Sequence, residues 1–261
     1  LMVSYVDDQS DNTANTAYPG SLIGIGDFTA PYVPLDQYVI PGNATFGQTP
    51  PWYSVDDNTK AGWTNSYTSA LTGKTFDLRP QRDNQSTNIM LRLDWAIGDA
   101  TLTSISGYSD FQREESNDWD GGFYNDSSNI NTTDLQVFSQ ELRLAGESDR
   151  LNWVVGLYYS QDDMDEYYHY FMSDSVYGYG RIPFGVGLFA PNPILELDTK
   201  YEQETTSAAV FGHVEYELTD ALKLVAGARY TNEKRDWTGC TYVADDGSLG
   251  LFLNNVFGLA G

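Results

Sequence analysis

Cationic side chains are scarce in this chain. Its 261 residues hold 14 Lys and Arg against 37 Asp and Glu, for a net charge of −23. That sign excludes the nucleic-acid partners whose phosphates need clustered positive charge. Sulfur and imidazole are scarcer still. A single cysteine, Cys240, rules out an intrachain disulfide, and two histidines give no basis for a zinc centre. No run of about twenty apolar residues occurs, so no transmembrane helix is expected. Nothing at the start reads as a signal peptide, and Leu1 to Val6 reads as the end of a strand, so a piece of a longer protein is expected.

Aromatics are abundant: 19 Tyr, 12 Phe and 6 Trp, with 24 Gly, a balance that favours strands and turns over helices. The clearest stretch is 134–160, DLQVFSQELRLAGESDRLNWVVGLYYS. Leu151, Trp153, Val155, Leu157 and Tyr159 recur there at a strict spacing of two. Before the polar turn at 146–150, Phe138, Leu142 and Leu144 share one face while Ser139, Glu141 and Arg143 share the other. Such alternation marks a half-buried strand or a membrane-barrel strand.

The rest of the chain repeats this hairpin. Thr87, Ile89, Leu91, Leu93 and Trp95 alternate with polar residues, Gly98-Asp99-Ala100 turns the chain, and 101–111 returns. Ala208, Val210, Val214 and Tyr216 oppose Phe211, His213, Glu215 and Glu217. After Thr219-Asp220-Ala221 the chain returns with Leu224, Ala226, Ala228 and Tyr230 opposite Lys223 and Arg229. A three-residue turn there would set Leu218 against Leu222 and Glu217 against Lys223. The reading is all-β, with seven strands near 1–6, 85–96, 101–111, 135–145, 151–160, 205–218 and 222–232 in one domain over 1–261. Long polar connections (7–84, where most of the ten prolines lie, then 112–133 and 161–200, with loop again from Asn232) alternate with short turns. This asymmetry predicts part of an antiparallel transmembrane β-barrel with short periplasmic turns and long extracellular loops. Seven strands with two open edges could not sit in lipid alone, so further strands are expected in the same protein.

Several residues invite a functional reading. The run Asp162 to Glu166 clusters carboxylates that suit a hard cation, but its spacing fits no complete calcium loop, and a solvated loop face is the better account. Asp118-Trp119-Asp120-Gly121 begins a cation-loop pattern without a third acid or a closing Glu. No metal or cofactor is therefore expected. The run Tyr167, Tyr168, His169, Tyr170, Phe171 has two readings, an aromatic girdle where strands leave a membrane or a ligand-gripping loop. The candidate ligand contacts are Trp119, Tyr124, Tyr167, Tyr168 and His169. No nucleophile, base and acid stand together, and enzyme is the losing class.

With these residues in view, the segments VFSQELRLAGESDRLNWVVGLYY (137–159) and AAVFGHVEYELTDALKLVAGARYTNEKR (208–235) resemble the barrel strands of TonB-dependent outer-membrane receptors, and NIMLRLDWAIGDATLTSISGYSDF (88–111) fits the same pattern. The resemblance implies residence in a bacterial outer membrane and active uptake of a scarce nutrient, most often a siderophore or other iron chelate. Its partners would be outer-membrane lipid, the ligand, and the TonB energy-transducing complex acting through a plug domain that this stretch does not contain. Carbohydrate or vitamin uptake, a passive porin and a soluble all-β binding module are the alternatives. On the barrel reading Trp153, Val155, Leu157, Tyr159 and Val210 face lipid, and Glu141, Arg143, Glu217, Lys223 and Arg229 face the lumen.

Overall fold

The computed structural model describes residues 1–15, 22–23, 33–34, 62–121, 125, 127–173 and 194–243. The regular elements among them are all strands: β1 (Met2–Asp8), β2 (Leu22–Ile23), β3 (Val33–Pro34), β4 (Ser66–Thr68), β5 (Thr75–Asp77), β6 (Gln81–Ile97), β7 (Ala100–Asp118), β8 (Ser128–Ser148), β9 (Leu151–Phe171), β10 (Glu196–Thr219) and β11 (Leu222–Tyr242). Seven of them form one sheet in the order β1-β6-β7-β8-β9-β10-β11, with every neighbour antiparallel. The sheet does not close on itself, and β1 and β11 are its edges. β2 with β3 and β4 with β5 make small separate hairpins.

Register assigns every side chain of the sheet to a face. Leu142 pairs with Leu157, Leu157 with Val210 and Val210 with Tyr230, so these four lie on one side. Trp153, Val155 and Tyr159 share that side by strand period, as do Leu91, Leu93, Trp95 and Leu102 through β6 and β7. Glu141, Arg143, Glu217, Lys223 and Arg229 occupy the opposite side. The first face is apolar yet uncovered: Trp95 and Tyr230 are each 68% exposed and Leu157 57%. On β9 the apolar residues run from Leu151 to Tyr159 and on β11 from Leu222 to Tyr230, about the 9–11 residues with which a tilted strand crosses a bilayer. Directly beyond, the same face turns charged. Gln161, Asp163 and Asp165 follow Tyr159, and Asp134, Asp165 and Glu202 stand side by side across three strands. Tyr108, Phe138, Tyr159 and Tyr230 mark the change. β7, which sequence alone left ambiguous, puts Leu102 and Tyr108 on the apolar side and Ile105 and Phe111 on the other.

The strands are longer than their apolar period indicates. β7 continues to Asp118, β9 to Phe171 and β11 to Tyr242, while β8 starts at Ser128 and β10 at Glu196. Much of the expected loop at 112–133 is therefore sheet, as are 161–171 and 196–200 at the two ends of the one expected at 161–200, and 232–242 is strand instead of loop. Beyond the apolar band both faces are polar, so alternation fades from the sequence while the backbone ladder persists. The turns are tighter than read. Ile97 pairs with Ala100 around Gly98-Asp99, where Gly98 has φ of 60°, a conformation that costs glycine nothing. Ser148 pairs with Leu151, leaving Asp149-Arg150 as the turn. At the last hairpin Leu222 pairs with Thr219, not Leu218, across a bulge between Glu217 and Thr219. Glu217 does pair with Lys223 in register, but the Lys223 ammonium donates to Glu215 Oε2 at 2.9 Å.

Gly156 shows how close the packing is on the polar side. Phe211, its partner on β10, lays its ring across the glycine so that an added Cβ would overlap the tip of that ring. The Arg229 guanidinium stacks nearby, 5.7 Å from that ring and 5.5 Å from Tyr158. Gly156→Val is expected to destabilise the sheet by about 1–3 kcal/mol through overpacking. Phe211→Ala in the same chain should recover part of that loss, and urea titration of the detergent-folded protein measures both.

Candidate functional site

Past the apolar band, the polar face of β7–β11 carries a linked group of side chains. Glu166 sits at its centre on β9, 7% exposed. Arg113 on β7 reaches it across β8, its Nη2 donating to Oε1 at 2.5 Å, and also donates to Thr133 Oγ1 at 2.7 Å. Tyr168 donates its hydroxyl to Glu166 Oε1 at 2.6 Å, and Tyr201 on β10 donates to Oε2. From this anchor a row of rings extends. Tyr168 lies 6.0 Å from Tyr170 and 6.4 Å from Tyr201, centroid to centroid, with planes 11° and 22° apart. Tyr201 lies 6.3 Å from Trp237 on β11. Trp237 sits over Gly239, where a Cβ would meet both the indole and Tyr201. Its indole is 59% exposed, so the row ends on an open aromatic face.

The electrostatics follow from these contacts. Burial pushes the Glu166 carboxyl up, but the hydroxyls of Tyr168 and Tyr201, the Arg113 charge and Thr133 together outweigh it and hold the group below its ordinary range. Burial and the hydrogen bond to Glu166 push the Tyr168 and Tyr201 phenols up. Both rings are thus fixed as neutral donors.

The aromatic run read from the sequence is divided by strand period. Tyr168 and Tyr170 join the row just described, whereas Tyr167, His169 and Phe171 point to the opposite side. There the β4–β5 hairpin packs on the latter two. Phe76 packs 4.9 Å from His169 and 5.0 Å from Phe171, and Tyr67 packs 5.2 Å from Phe171. Phe171 is buried here, as are Leu78, which follows β5, and Ile194, which precedes β10. His169 Nε2 lies 3.1 Å from Glu196 Oε2, and Tyr167 donates to Asp198 Oδ1 at 2.5 Å. These two candidate ligand contacts are strand residues engaged in polar bonds, not loop residues. Asp163 and Asp165 of the acidic run stand on their side of the sheet, Asp162 and Glu166 on the other. Among the described residues no three His, Cys, Asp or Glu are arranged to hold a metal ion. Neither is the aromatic run placed as a girdle, because Asp163 and Asp165 separate it from the apolar band.

Trp119 is 60% exposed at the β7–β8 tip, where its amide donates to the Ser127 carbonyl. Beside it Asp118 is buried, accepts from the Gly121 amide at 2.8 Å, and has its carboxyl pushed up to about 6 by burial. Tyr124 lies outside the described residues. The sequence reading missed Arg113, Tyr170, Tyr201 and Trp237 as members of the row. The spacing of two in Glu166, Tyr168 and Tyr170 was the available signal; Trp237 lay in a stretch read as loop.

Comparison with known proteins gives two findings. A family model described as "TonB dependent receptor-like, beta-barrel" matches residues 10–252. Among solved structures, the ferric yersiniabactin uptake receptor FyuA from Yersinia pestis is similar, with 15% identity and a TM-score of 0.50 over 67% of this chain and 24% of that one. The present chain thus spans about a quarter of that receptor, and at this identity the likeness is one of fold. The comparison with curated protein sequences gave no match.

Arg113→Met removes the only cation bound to Glu166 in this group. The carboxyl should then titrate higher, with a stability loss of about 1–3 kcal/mol at neutral pH. In the unaltered protein the depressed carboxyl stabilises the fold above the ordinary carboxylate pKa, and that contribution disappears as pH falls through the folded value. Ultraviolet titration should show at least one phenol ionising later than free tyrosine, and Glu166→Gln should return it toward the ordinary value.

Proposed function

Since this chain belongs to the TonB-dependent receptor β-barrel family, we propose that it forms part of the wall of a bacterial outer-membrane receptor that captures a scarce nutrient and imports it with energy supplied through TonB. The observation that carries this reading is the sheet's exposed apolar face, one tilted-strand crossing tall and bounded by aromatic and then charged residues. In water such a face would be a large exposed apolar patch; against acyl chains it is ordinary. On this reading Trp153, Val155, Leu157, Tyr159 and Val210 meet lipid. Glu141, Arg143, Glu217, Lys223 and Arg229 line the lumen, where a plug domain supplied by the full-length receptor would contact TonB.

The nutrient this reading favours is a siderophore or another iron chelate. Support comes from the similar structure, which is a ferric yersiniabactin uptake receptor, and from the aromatic row, which offers ring faces to a planar chelate. The work required is capture and gated passage, with no covalent step. The ligand would meet Tyr168, Tyr201 and Trp237 where the strands rise above the bilayer.

Two measurements test this. Deleting the full-length gene should abolish growth on the cognate iron chelate under iron limitation, and deleting TonB should have the same effect. TonB-independent uptake would identify a passive pore instead. Val155→Arg, at the middle of the apolar band, should cost about 2–4 kcal/mol of folding free energy in lipid vesicles, whereas Leu151→Arg at its edge should cost about 0–1. Equal small costs at both positions would remove the lipid assignment.

A further inference from the structure

The buried carboxylates of this protein differ in how their charge is met. Glu166 has Arg113, while Glu196 and Asp198 lie 3.1 and 3.8 Å from His169. Asp118, 1% exposed at the β7–β8 tip, has no cation beside it among the described residues. A buried charge without a counter-charge is costly, so one is ordinarily supplied.

The oxygens around Asp118 are left over too. Its Oδ1 accepts from the Gly121 amide, while Oδ2 is buried with no hydrogen-bond partner. Ser128, its register partner on β8, lies on the same side of the sheet, 1% exposed, with Oγ unpartnered. The Thr64 amide stabilises the ionised Asp118 carboxyl, which sets Thr64 against it, and Thr64 Oγ1 is likewise buried and unpartnered. Either hydroxyl could donate to Oδ2, yet neither does. Buried polar atoms are almost always satisfied, so three unpartnered oxygens from separate stretches imply a partner from outside the chain. Asp120 adds a second carboxylate to the tip, its Oδ2 accepting from the Ser127 amide at 3.0 Å.

We propose that the β7–β8 tip binds a hard divalent cation, calcium by preference, with Asp118 Oδ2, Ser128 Oγ and Thr64 Oγ1 among its ligands. All three are oxygens, the donors that such cations take. Two acids in the tip match a divalent charge. Donors gathered from three stretches suit calcium, whose coordination is flexible, better than magnesium, which demands a near-ideal octahedron. Only one of the three ligands is an acid, so the set is not a cluster of carboxylates. It crosses from β7 to β8 and to the segment before β4, which is why no continuous loop spacing announces it. The bound cation ties the tip that carries the exposed Trp119 to the segment at Thr64.

The test uses the purified full-length protein in detergent, stripped with a chelator, with terbium as a luminescent stand-in for calcium. Terbium excited through tryptophan should give a saturable emission that calcium displaces and that magnesium displaces only at much higher concentration. Calcium should also raise the thermal midpoint of the stripped protein. Asp118→Asn keeps the shape of the side chain and its bond to Gly121, and should weaken calcium at least about tenfold. Ser128→Ala should weaken it about three- to tenfold. The double variant Asp163→Asn with Asp165→Asn, in the acidic run on β9, should leave both readouts unchanged. Heat-dependent gel mobility confirms that each variant is folded. No saturable effect of calcium on the unaltered protein would leave Asp118 a protonated buried acid and overturn the site. An effect that survives both Asp118→Asn and Ser128→Ala would overturn it too, as would one that the β9 double variant abolishes. Neither readout involves transport, so a failure here leaves the receptor reading standing.

Discussion

Backbone hydrogen bonding between neighbouring strands is the constraint on which everything else in this protein depends. In hydrocarbon an unpaired amide or carbonyl costs several kcal/mol, so strands that cross it must be paired on both sides. The six strand pairings of the large sheet are antiparallel, with an irregularity only at the last turn. Once that ladder is fixed, period two leaves each side chain a single choice of side. Leu157 cannot meet lipid without Tyr158 turning the other way, beside Arg229. The division between an oily side and a polar side follows from the pairing.

The same ladder carries the sheet well past the apolar band, where no hydrocarbon demands it. There the pairing is supported by polar side chains, among them Arg113, Thr133 and Glu166 spanning three strands. A buried carboxylate with one cation and three hydroxyl donors is well satisfied, which is the condition under which such a group holds neighbours in place. The rings of Tyr168 and Tyr201 are held through their hydroxyls, so their orientation is set by the anchor beneath them.

Much of this was legible in the sequence, and the illegible part has a common cause. The hairpins at 87–111, 137–159 and 208–231 announce themselves because one of their faces must be apolar, and apolar residues at spacing two are easy to see. The division of Glu141 and Arg143 from Trp153 and Val210 between two sides followed from that spacing, and the register agrees with it. Beyond Tyr159 the requirement lapses. Asp162 to Phe171 then looks like a loop rich in acids and aromatics, although it is the upper half of β9. Tyr167 and Tyr168, adjacent in sequence, end on opposite sides. The turn at Asp220-Ala221 was misjudged by one residue because a bulge leaves no compositional mark. Family resemblance was carried by the three hairpins, and the family match spans residues 10–252.

The extension of β9, β10 and β11 has a consequence for how tightly such a surface can hold a small molecule. Rings mounted on mobile loops must be immobilised by each ligand that arrives, at about 0.5–1.5 kcal/mol per rotamer-rich side chain. Tyr168, Tyr201 and Trp237 stand instead on paired strands, two of them with hydroxyls already committed. The two tyrosines are therefore ordered before any encounter, and on the proposed reading a modest contact area would yield useful affinity. Such a surface also adapts poorly to a differently shaped guest. On the proposed receptor reading, that rigidity would make the wall a filter as well as a grip.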